Sequence, residues 1–160
     1  MRIEVTTIIN QKQSNVWFQM VNWELYGRWI PLTKMINPEG VIYNGNVGEK
    51  FIGRTGISFL AFNDPMIVTE SIPPVTISKD FTVAKLQVLK TGKVVKGSAG
   101  FTLEPINKGE ITKLTWWEDV EVLSPAFQKA FNWILEPVAK SSFQNVVNAI
   151  AKDLSRKNLR

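Results

Sequence analysis

The chain has 160 residues, 44% apolar and 21% charged, a size and balance expected of one globular domain over residues 1–160 that buries about two thirds of its unfolded surface. It contains neither Cys nor His, which excludes disulfides, thiolate nucleophiles, zinc fingers, His-ligated metals and a Ser-His-Asp triad. The formal charge of +5 is uneven, since residues 124–160 hold six basic side chains against two acidic ones.

Residues 3–9 (IEVTTII) are β-branched and apolar without a breaker, which predicts a strand. The segment Met1–Asn10 has charges at Arg2 and Glu4 and no cleavage-site pattern, so no signal peptide is expected. No window reaches the roughly 18 apolar residues of a membrane span, and a cytoplasmic location is the default expectation. Ser14 reads as an N-cap opening a short helix with apolar Val16, Trp17, Met20 and Val21. Gly27 and Pro31 then break the pattern, leaving a second short helical piece around Trp23 to Trp29.

From Val41 to Leu123 short β-type runs alternate with turn chemistry at Asn44-Gly45-Asn46, Asn63-Asp64-Pro65, Pro73-Pro74, Thr91-Gly92-Lys93 and Asn107-Lys108-Gly109. Turns that frequent predict an antiparallel meander of five or six strands. Ser124-Pro125 then gives the start signal of a long helix with an apolar stripe from Phe127 through Phe131, Leu135, Val138, Val146 and Ile150 to Leu154, kinked or restarted at Pro137. The class is α+β: a curling antiparallel sheet with one face covered by the final helix.

Several landmarks, in order, resemble the START-like superfamily, also called SRPBCC or polyketide cyclase/dehydrase-like. They are Ser14–Pro31 (SNVWFQMVNWELYGRWIP), Val47-Gly48 before Phe51, Asp64-Pro65-Met66, Pro73-Pro74 and Leu114-Thr115-Trp116. The resemblance runs from Ile3 to about Leu154. It implies a helix-grip fold: a curved sheet of six or seven strands wrapped round a long C-terminal helix, two short helices after the first strand, and a cavity between sheet and helix. It also implies an apolar small-molecule ligand such as a lipid, sterol, quinone or polyketide, and in a minority of members cyclisation, dehydration or hydrolysis. Fold analogy alone does not choose among these.

Period two places Glu118 on the same strand face as Leu114, Trp116, Val120 and Val122. A carboxylate there has its pKa raised by desolvation and could serve as acid, base or ligand partner, unless it is hydrated or paired with a lysine at a strand end. Phe51 and Phe101 are expected to point inward from their strands, as lining or as plain core. Tyr43 could donate to a ligand carbonyl or reach water, whereas Lys50 and Arg54 should face solvent. On the last helix Phe131, Leu135 and Ser142 would face the sheet, with Asn145 beside the same stripe and the polar pair either at the ligand or at the border. No second acid is read on the inward face of Glu118.

No metal site is expected, because Glu118, Asp119 and Glu121 alternate across both faces of one strand. No cofactor is expected either, since neither a Walker loop nor a GxGxxG motif occurs. Three functions remain in play: a non-catalytic carrier of an apolar molecule, a cyclase/dehydrase-like enzyme working through Glu118, and a delivery module docking on anionic membrane through Lys152, Arg156, Lys157 and Arg160. Nucleic-acid binding has no motif to support it.

Overall fold

The computed structural model describes residues 1–58, 61–75, 82–125 and 136–156. Seven strands form one antiparallel sheet: β1 (Arg2–Ile9), β2 (Thr33–Ile36), β3 (Lys50–Thr55), β4 (Phe62–Ile72), β5 (Ala84–Thr91), β6 (Val95–Ile106) and β7 (Ile111–Val122). Their order is β1-β7-β6-β5-β4-β3-β2, so a meander of six strands receives β1 at its far edge beside β7. Helices α1 (Gln13–Met20) and α2 (Tyr26–Trp29), joined through a 3-10 turn at Trp23–Leu25, follow the first strand, and α3 (Glu136–Arg156) ends the fold.

Alternation sets the inner face. In β1, Ile3, Val5 and Ile9 are buried while Arg2, Glu4, Thr6 and Ile8 are exposed. In β5, Ala84, Leu86, Val88 and Lys90 are buried in the same period. A register shift between Val68 and Glu70 puts a bulge in β4, and bulges increase the local twist that curls a sheet over a helix. The α3 stripe of Val146, Val147, Ile150 and Leu154 is buried, and the helix lies mainly against β1.

Three local expectations change. Helix α1 starts at Gln13, not after a Ser14 cap; Lys12 is the cap residue, extended and without a capping side-chain bond. Gln13 is held instead by tertiary bonds, its Nε2 donating to the Leu103 carbonyl at 2.7 Å and the Thr82 carbonyl at 2.8 Å, and in an eight-residue helix such anchors outweigh local propensity. The β-type run expected from Val41 up to the Asn44-Gly45-Asn46 turn is not a strand; at that turn the Glu49 carboxylate accepts from the amides of Asn44 at 2.9 Å and Gly45 at 3.0 Å. The sixth strand of the meander is β2, which precedes the Val41–Leu123 region where the strands were expected. The helix expected between Ser124 and Leu135 falls outside the described residues over 126–135, and the chain is helical from Glu136 through Pro137.

The linker between β1 and α1 is a polar clamp. Gln11 donates through Nε2 to the Leu154 carbonyl at 2.7 Å, and its own carbonyl accepts from Thr112 Oγ1 at 2.7 Å. Gln11 and Thr112 are buried, at 6% and 0% exposure. The Gln11 side chain thereby holds the Leu154 carbonyl of α3, and its backbone carbonyl ties the same linker to β7.

Candidate functional site

Three charged side chains from three strands meet on the inner face. Lys90 Nζ on β5 lies 2.7 Å from Asp64 Oδ2 on β4 and 3.5 Å from Glu118 Oε2 on β7, with side-chain exposures of 9%, 11% and 13% in that order. Each obeys its strand's period: Lys90 follows Leu86 and Val88, Asp64 precedes Met66 and Val68, and Glu118 follows Leu114 and Trp116. Lys90 and Glu118 are separated by β6, about 9–10 Å for two strand spacings. Register sets Gly97 opposite Lys90 and Ala99 opposite Glu118, so β6 presents its two smallest inner residues where long side chains must cross. Gly97 has φ +132°, and a Cβ there would come within 2.8 Å of the Val120 Cα. Only glycine lets the strand backbones approach in this way.

The charges are unbalanced, two carboxylates to one ammonium. Burial lowers the Lys90 pKa, but Glu118 and Asp64 together raise it further, so the ammonium stays charged. Burial raises the Glu118 pKa; Lys90 opposes this and the Asp64 charge adds to it, leaving Glu118 above the ordinary carboxylate range. Lys90 lies closer to Asp64 than to Glu118 and pairs with both carboxylates. Asp64, only 8% exposed, keeps its second oxygen, Oδ1, buried and without a hydrogen-bond partner among the described residues. An unpartnered buried acceptor is costly, and such an atom calls for an explanation.

An aromatic cluster adjoins these charges. Trp23 stacks on Phe51 at 4.2 Å, Tyr26 meets Trp116 edge-on at 5.6 Å, Trp116 meets Phe143 of α3 at 6.3 Å, and Trp17 meets Phe101 at 5.8 Å. Phe51, Phe101 and Trp116 therefore point inward, and Glu118 lies one inward position beyond Trp116. Trp23 Nε1 is buried and has no acceptor among the described residues. Tyr26 is held by donating its hydroxyl to the Met20 carbonyl at 2.8 Å.

Other expected site residues fall elsewhere. Tyr43 is buried, but its hydroxyl donates to the Lys50 carbonyl at 3.1 Å, and burial with nearby Glu24, Glu49 and Glu39 pushes its pKa up to about 12. It fastens the β2–β3 loop. Ser142 and Asn145 are exposed, a correction to the expectation that Ser142 faces the sheet, since the buried stripe runs past it through Val146, Val147 and Ile150. Phe131 and Leu135 lie outside the described residues. Lys152 and Arg156 are exposed on α3, while Lys157 and Arg160 lie outside the described residues. Lys50 and Arg54 face solvent.

Sequence reasoning missed Asp64 and Lys90, so the expectation of no second acid beside Glu118 is overturned. The period-two signal was present in both strands. Asp64, however, was read as part of an Asn63-Asp64-Pro65 turn, whereas it lies inside β4, and Lys90 stands near a strand end, where a charged side chain ordinarily marks the exit to solvent.

No family model matches the sequence, and no curated protein matches it. Among solved structures, the chain is similar to the Zhui aromatase/cyclase from a Streptomyces species, with 15% identity and a TM-score of 0.69 over 100% of this chain and 96% of that one. It is also similar to a START superfamily protein from Mycobacterium smegmatis, with 16% identity and a TM-score of 0.61 over 98% and 95%. A hypothetical protein from Helicobacter pylori matches with 11% identity and a TM-score of 0.68 over 95% and 86%. The fold is START-like, the helix-grip arrangement that the landmarks implied. Among the described residues no helix is long and apolar enough to cross a membrane.

Proposed function

We propose that the chain binds an apolar small molecule between its sheet and C-terminal helix, with the ligand's polar end at Asp64, Lys90 and Glu118. The observation that carries this reading is the Asp64 Oδ1 atom: a buried, unpartnered acceptor in a charged cluster beside an aromatic-lined interior. Apolar walls with a few convergent polar groups are the usual anatomy of small-molecule sites, and the fold's likeness to START-family proteins and aromatase/cyclases agrees with ligand binding in general. Native mass spectrometry of the purified protein, followed by organic extraction, tests it. A stoichiometric apolar compound supports the carrier reading. A protein that neither retains such a compound nor takes up an uncharged apolar dye such as Nile red counts against it.

A second reading is proton-transfer catalysis on a carbonyl substrate, and Glu118, whose pKa burial raises above the ordinary carboxylate range, favours it. The Glu118→Gln variant separates the two. A carrier keeps its ligand, whereas an enzyme retains binding and loses turnover.

A further inference from the structure

The cluster also restricts what the polar end of the ligand can be. Lys90, the cation that would greet an anionic headgroup, is already committed at 2.7 Å to Asp64 and at 3.5 Å to Glu118. The atom left without a partner among the described residues is a carboxylate oxygen, Asp64 Oδ1, which can only accept a hydrogen bond. We infer that the interior selects apolar molecules ending in a neutral hydroxyl, a phenol or an alcohol, and rejects those ending in a carboxylate or phosphate. This rests on the binding reading above.

The geometry requires a donor at Asp64 Oδ1. A hydroxyl supplies one and brings no charge into the interior. A carboxylate offers only lone pairs to that oxygen, brings a third carboxyl group to one ammonium, and must be desolvated to do so. The single Lys90 charge is already shared between Asp64 and Glu118, so a further carboxylate meets no unshared cation. Like-charge juxtaposition of this kind is how a site refuses a ligand of otherwise suitable shape.

The test uses two probes with the same apolar body, 2-naphthol and 2-naphthoate, titrated at pH 7 by calorimetry against the full chain. The expected result is naphthol binding at least about tenfold more tightly, with the preference shrinking in Asp64→Asn because the removed charge lets naphthoate gain. Naphthoate binding as tightly as naphthol overturns the inference and leaves the binding reading standing. If neither probe binds, nor dodecanol nor Nile red, the binding reading fails and the inference with it. A preference unchanged in a folded Asp64→Asn removes Asp64 as its source and overturns the assignment. Should that variant not fold, the wild-type pair decides alone.

Discussion

Lys90 holds two carboxylates in a poorly solvated place, and that makes its removal more damaging than the loss of one ion pair at a surface. Lys90→Met should destabilise the fold by about 3–5 kcal/mol, because two buried acids are left without a cation; urea unfolding of variant and wild type measures it. Glu118 supplies a pH signature. Its folded pKa is raised above the ordinary 4.5, so the folded state holds the proton more tightly than the unfolded chain. The stabilisation is complete below the ordinary value and is lost as pH rises through the raised one. Lys90 and Asp64 are the charged groups facing it, and both remain in Glu118→Gln. The melting temperature of wild type relative to Glu118→Gln should therefore fall as pH climbs from about 4 into the neutral range. A flat difference would mean Glu118 is an ordinary solvated acid. At Gly97, a side chain would press into the β7 backbone, so Gly97→Ala should cost about 1–3 kcal/mol, read by the same unfolding experiment.

The elements owe their placement to polar anchors as much as to periodicity. Helix α1 is too short to be stable alone, and Gln13 fixes it to the ends of β5 and β6 while Gln11 secures the last turn of α3. Gln11→Ala should lower stability by about 1–3 kcal/mol through the stranded Leu154 carbonyl, and should raise amide exchange in the final turns of α3 before it does so in β6. Uniform loosening of the whole sheet would contradict that local role. These anchors also explain where sequence reading stopped. The inward positions of Phe51, Phe101, Trp116 and Glu118 were legible because alternation is local. The Ser14 cap and the β-type run at Val41 were misread because groups elsewhere, Leu103 and Thr82 in one case and Glu49 in the other, claimed side-chain or neighbouring backbone bonds that local propensity had assigned.

At the scale of the whole molecule, the site is a product of strand order. Asp64, Lys90 and Glu118 stand 26 and 28 residues apart, and no spacing in the chain announces that β4, β5 and β7 bring them together. The meander does so, with Gly97 and Ala99 of β6 leaving the gap between. The START-like architecture was legible from landmarks in their order, whereas the composition of the charged cluster required the register. The interior joins an aromatic cluster to a charged one, and the proposed ligand end rests on the second. The most direct measurement is a titration of the isotopically labelled protein with 2-naphthol, following backbone amide and indole signals by NMR. Binding at the cluster predicts saturable shifts at residues 64, 90 and 118 and at the Trp116 indole. Shifts confined to exposed positions such as Phe18 and Ile42, or none that saturate, would contradict it.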